Sequence, residues 1–99
     1  LGFAGVYFTN IQLYLRRKGY SNEIHFIRLK DNIDRKIKNC KRKIAILAYK
    51  HSSGGHYVAI KYSDSDKQFH VYNSNQNLSS VDTWIKDHSY SPLSLITLK

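Results

Sequence analysis

Two alternating runs constrain this chain more than any other feature. Residues 56–62 read His-Tyr-Val-Ala-Ile-Lys-Tyr, and residues 67–73 read Lys-Gln-Phe-His-Val-Tyr-Asn, with Ser63-Asp64-Ser65-Asp66 between them. Each run has the period of two of a half-buried strand, and the polar interval is a turn. A four-residue loop at 63–66 makes Tyr62 face Lys67, Ile60 face Phe69, Val58 face Val71 and His56 face Asn73. That register gathers the apolar residues on one face and leaves Tyr57, Ala59 and Lys61 on the other. Directly opposed Cβ atoms in such a pair lie about 4.5–5.5 Å apart. His56 and Asn73 are therefore expected to touch at the open end of the apolar face.

The rest of the chain supplies what such a hairpin needs around it. Ala4, Phe8, Ile11 and Leu15 form one stripe at helical spacing, which predicts a helix over residues 5–18 that stops at Gly19. Ile24 to Leu29 reads as a strand. Asp31 or Asn32 can cap a second helix, with Ile33, Ile37 and Cys40 on its buried side. Ile44 to Tyr49 is a near-continuous apolar run suited to a central strand, and residues 51–55 read as a loop. Ser79-Ser80-Val81-Asp82 resembles a capping box before a short helix carrying Trp84 and Ile85. Pro92 precedes a last strand over residues 93–98. Helix, strand, helix, then mostly strands predicts an α+β fold with the first helix packed on an antiparallel sheet.

Ninety-nine residues suit a single domain over 1–99. Position 1 is leucine, so an earlier start and truncation at this end are expected. The chain has neither an apolar run long enough for a membrane span nor a signal-peptide pattern, and localisation is not legible. One cysteine, Cys40, excludes an internal disulfide and a cysteine-based metal cage. Cys40 falls on the apolar stripe at a helix end and reads as an ordinary half-buried thiol. The five histidines lack metal-ligand spacing, and no metal or other cofactor is expected. Charge is uneven: residues 1–50 hold 12 Lys/Arg against three acids, whereas residues 51–99 hold four against four. The basic half suits nucleic acid, anionic lipid or an acidic protein, or is simply a solvated helix face. Interleaved tyrosines make a basic nucleic-acid-binding module one alternative function, although many aromatics, such as Phe8, Phe26 and Phe69, fit core positions.

The His56–Asn73 pair suggests chemistry. An asparagine oxygen that accepts from one imidazole nitrogen fixes the tautomer and aims the other nitrogen outward, as in a base-and-orienter pair. Gly54 and Gly55 would let a substrate approach His56, and Tyr57 would line the same groove. The nucleophile that such a base serves is expected at the start of the first helix, packed against the His56 face. There the helix dipole and free backbone N–H groups would activate a thiol and bind an oxyanion. The residue at that place is Ala4.

Phe3-Ala4-Gly5-Val6-Tyr7, Gly55-His56-Tyr57-Val58 and Val71-Tyr72-Asn73 together resemble the papain-like cysteine peptidases, above all the compact bacterial domains that trim exported peptides. The His56 and Asn73-Ser74 hairpin is also similar to that of Josephin-type deubiquitinases. The resemblance implies a papain-like fold, Ala4 at the nucleophile position, His56 as base and Asn73 as third triad member. It implies cleavage of a peptide or isopeptide bond in a peptide or protein substrate by a parent form with cysteine at position 4, and an inactive chain as it stands. The sequence departs from the family in lacking the cysteine and any preceding glutamine, and in carrying Ser74 where a proline is usual. Ala4 is open to three readings: a Cys→Ala change, a natural degenerate domain that binds peptide without cutting it, or an accidental likeness.

Overall fold

In the computed structural model, which describes residues 2–3, 6–28, 30–52, 54–72 and 74–99, the hairpin forms two residues away from the expected register. A short ribbon of β1 (Gly2–Phe3) and β2 (Val6–Tyr7) leads into α1 (Phe8–Arg17). Then come β3 (Asn22–Phe26), α2 (Ile33–Asn39), β4 (Ile44–His51), β5 (Gly54–Ser63), β6 (Gln68–Val71), β7 (Asn77–Leu78), α3 (Val81–Asp87) and β8 (Ser91–Leu98). Strands β3 to β8 form one six-stranded antiparallel sheet in the order β3-β8-β4-β5-β6-β7. The fold is α+β. The strand expected over residues 24–29 is β3, which starts and ends earlier; Leu29 lies outside the described residues.

In the β5–β6 pair Ile60 faces Val71, Tyr62 faces Phe69 and Ser63 faces Gln68. The turn occupies residues 64–67 rather than 63–66. Lys67 takes a left-handed φ of 57°, its N–H donates to the Ser63 carbonyl at 2.9 Å, and the Asp66 carboxylate accepts from Gln68 N at 3.0 Å. A slip of two keeps every side chain on its face, so the apolar pattern tolerates either register. The ladder continues as Tyr72 N donates to Ala59 O at 3.0 Å. The register counted through the turn is thereby replaced over residues 60–71, and Asn73, expected opposite His56, lies outside the described residues.

The sheet buries both faces. On one, Leu47, Ile60, Phe69 and Leu95 pack with Ile33 and Ile37 of α2 and with Val81 and Ile85 of α3. On the other, Ala48 and Ile96 pack with Ile11 and Leu15 of α1, alongside Ile24, Ile46 and Tyr57. Helix α1 is shorter than expected. It closes at Gly19, whose φ of 89° favours glycine, with Tyr20 N donating to Leu15 O at 2.9 Å. Phe26, expected in the core, is 76% exposed. Pro92 lies inside β8 rather than before it, next to a register shift at Ala48/Tyr49, where a missing N–H is tolerated.

Helices of seven residues, as α2 and α3 are, do not hold by propensity alone. Asn32 caps α2 by accepting from Arg35 N at 2.9 Å, and Ser80 caps α3 by accepting from Thr83 N at 3.1 Å. The two helices also cap each other. The Asp82 carboxylate on α3 accepts from Ile33 N at 3.1 Å and Asp34 N at 2.9 Å. The Asp34 carboxylate on α2 accepts from Val81 N at 2.6 Å, Asp82 N at 3.3 Å and the Ser80 hydroxyl. Asp82 thus reaches across to the other helix, in place of the box within its own helix that the sequence suggested. Burial, together with the nearby Asp34 charge, holds the Asp82 carboxyl above the ordinary carboxylate range, despite the N–H donors that oppose the shift.

Asp34→Ala strands the first-turn donors of α3 and should lower unfolding free energy by about 2–3 kcal/mol in urea titration. The native state binds the Asp82 proton more tightly than the unfolded chain does. Its contribution to stability is therefore full at low pH and is lost as pH rises through the raised native value. The difference in urea midpoint between the wild type and Asp82→Asn should change in that sense across the acid range; a pH-independent difference contradicts the assignment.

Candidate functional site

His56 owes its place to the tight β4–β5 connection. Strand β4 continues to His51 and β5 begins at Gly54, so the loop expected over residues 51–55 is mostly strand. His51 pairs with Gly54, Lys50 with Gly55 and Tyr49 with His56. Alternation then puts His56 on the face of Tyr49, Val58 and Ile60. The imidazole is exposed and stacks on the half-buried Tyr49 ring, with centroids 5.6 Å apart and planes at 30°. Tyr57 points the other way and packs against the Ala48 and Ile96 layer.

Tyr49 is the hub of a ring cluster. Its centroid lies 4.6 Å from that of Tyr90 and 5.7 Å from that of Trp84, which meets Tyr90 edge-on at 5.0 Å. His51 meets Tyr90 at 4.9 Å, and His88 stacks on Tyr90 at 5.1 Å while its Nδ1–H donates to the Trp84 carbonyl at 2.9 Å. Three histidines and three large aromatics thus meet where β4, β5, β8 and the end of α3 come together. Burial, followed by the neighbouring Tyr90, holds the Tyr49 phenol above its ordinary value, so it remains a neutral donor. Edge-to-face contacts of this kind fix ring positions and leave apolar faces and polar tips available at the rim.

Tyr90 also borders a cleft beside this cluster, with a volume of about 570 Å³. Ile27, Ile33, Ile85 and Pro92 line it with apolar surface, and Arg28, Asp31, Asp82 and Lys86 supply charges of both signs. Concave apolar ground with a few polar groups at the rim is what a peptide side chain or small ligand requires.

The expected triad is not brought together among the described residues. Ala4 and Asn73 both lie outside them. Helix α1 begins at Phe8, and its buried side packs on the sheet face opposite His56, whereas the expected arrangement needed it on the same face. Gly54 is not in close contact: a Cβ added there would meet nothing within 4 Å. Gly55 is half-buried opposite Lys50. Cys40 caps the C-terminus of α2, donates to Ile37 O at 3.2 Å and lines a separate cleft of about 330 Å³ that also contains His25, Glu23 and Thr97. Among the described residues no group of three His, Cys, Asp or Glu is placed to hold a metal, and no helix is long and apolar enough to cross a membrane.

Sequence reasoning passed over Tyr49, Trp84, Tyr90 and His88 as site residues. Tyr49 alternates with Leu47 and Ala45 and reads as core, and Trp84 reads as the buried side of a short helix. Only the β4–β8 pairing, which brings Tyr49 to Pro92, reveals that these rings share one end of the sheet. Comparison with protein-family models, with curated proteins and with solved structures finds no match to this chain.

Proposed function

We propose that this chain is a papain-like peptidase relative that, with alanine at the nucleophile position, binds peptide without cleaving it. The observation that carries this reading is the exposed His56 ring stacked on Tyr49 beside the apolar cleft bordered by Tyr90. The order of Ala4-Gly5, His56-Tyr57-Val58 and Asn73 along the chain adds the likeness to a thiol peptidase. His56 can exchange a proton with solvent or ligand, but Ala4 has no atom to attack a carbonyl. With α1 on the other face, the described arrangement favours binding over catalysis. In this reading the cleft takes an apolar side chain between Ile33, Ile85 and Pro92, and the rim charges orient the peptide backbone. In a parent with cysteine at position 4 and α1 on the His56 face, the chemistry that the resemblance implies would be thiolate attack, proton transfer through His56 and orientation of His56 by Asn73.

Selection from a phage-displayed random peptide library, followed by calorimetric titration of the selected peptide, tests the binding reading. Tyr90→Ala and Trp84→Ala should each weaken binding roughly tenfold or more, as aromatic anchors do. A selected peptide bound equally by both variants rules out this cleft. The peptidase descent has a separate test in a Cys40→Ser background. Ala4→Cys should react with iodoacetamide faster than a cysteine placed at an exposed control site, and, with α1 on the face away from His56, His56→Ala should leave the difference unchanged. Equal labelling rules out position 4 as the nucleophile position.

A further inference from the structure

We infer that the end of the sheet opposite His56 is a binding surface for single-stranded nucleic acid. Two basic runs far apart in sequence converge there. Arg16-Arg17-Lys18 closes α1, and Lys41-Arg42-Lys43 leads into β4. The Arg42 Nε donates to the Lys99 carbonyl at 3.0 Å, and Lys99 N donates to Ser21 O at 2.9 Å, which draws both runs around the end of β8. Arg16 and Lys99 share a cleft of about 400 Å³ with Gly19, Ser21 and Asn22. Asn22 is 5% exposed; its amide N–H groups donate to the Gln12 and Tyr20 carbonyls, and its Oδ1 is buried with no protein partner. Few acids offset this charge: Asp64 lies 3.7 Å from Lys43, and Glu23 follows Asn22 on β3.

The tyrosines beside these cations favour nucleic acid over a purely electrostatic partner. Tyr14 is 59% and Tyr20 41% exposed. Lys18 Nζ lies 5.6 Å from the Tyr14 ring centroid, and the Arg42 guanidinium lies 5.5 Å from that of Tyr20. Exposed rings held beside cations are a stacking platform next to phosphate contacts, the arrangement that suits unpaired bases on a charged backbone. A duplex hides its base faces, and a lipid headgroup has none, so neither would use the rings. The surface is remote from His56 along β4, and its test succeeds or fails independently of peptide binding.

Fluorescence anisotropy with a labelled oligouridylate of about twelve nucleotides tests the inference. Engagement of about four phosphates predicts a slope near −3 for log K against log salt, or roughly a 50-fold loss of affinity between 50 and 200 mM. Arg16→Glu with Arg42→Glu should weaken binding more than tenfold, and Tyr14→Ala, at an exposed position, should weaken it severalfold at constant salt slope. No binding at 50 mM salt overturns the proposal. So does tighter binding to a duplex of the same length or to phosphatidylserine vesicles, or binding insensitive to both Tyr14→Ala and Tyr20→Ala.

Discussion

The reciprocal capping of α2 and α3 by Asp34 and Asp82 is the interaction on which the rest of this architecture depends. Neither helix is long enough to persist alone, and each supplies the carboxylate that satisfies the other's first turn. The clasp fixes where Ile33, Ile37, Val81 and Ile85 meet the sheet. It also fixes where α3 ends, and so where Trp84 and Tyr90 meet Tyr49. Asp82 and Ile33 line the cleft itself, so the clasp and the proposed peptide site share residues. Two carboxylates that accept backbone N–H groups at helix N-termini are favourably placed with respect to both dipoles. The burial that raises the Asp82 value is the cost of setting that arrangement beneath the cleft.

The two proposed binding surfaces lie at opposite ends of the strands. Strand β4 runs from the basic end at Ile44 to the ring cluster at His51, and β8 runs back from Ser91 to Leu98. The hydrophobic layers between the two ends are closed: Leu47, Ile60, Phe69, Leu95 and Ile96 have no exposed surface. Polar and aromatic groups available for binding therefore collect at the two ends, one mixed in charge and ring-lined, the other cationic. The proposed peptide site and the proposed nucleic-acid surface are separated by a packed core, and a ligand at one end makes no contact at the other.

Much of this was legible in the sequence, for local reasons. Gly19 ends α1, Asn32 starts α2 and Ser80 starts α3, because each is decided by chemistry within four residues. Strands β5 and β6 were legible by alternation and β3, β4 and β8 by their apolar or β-rich runs, whereas the two-residue β1, β2 and β7 are too short to leave a pattern. Register was not legible. The apolar residues Val58, Ile60, Phe69 and Val71 satisfy one face equally well after a slip of two, and the choice fell to the left-handed Lys67 in the turn. Nor could the pattern say which sheet face α1 would cover. Ile46, Ala48 and Ile96 are as apolar as Leu47 and Leu95, so both faces accept a helix. That ambiguity decides how His56 is understood, since a base needs its nucleophile on its own side. Asp34 and Asp82 were equally hidden, because contacts across 48 residues leave no trace in a local window.

The His56 ring belongs to the face of α2 and α3, within the ring cluster and away from α1. Nuclear Overhauser contacts from the His56 ring protons in isotope-labelled protein test this most directly. Cross-peaks to the Tyr49 ring and none to the methyl groups of Ile11 or Leu15 are expected. Cross-peaks from His56 to those α1 methyls, with Tyr49 silent, would contradict it and return His56 to the face on which a thiol at the start of α1 could be served.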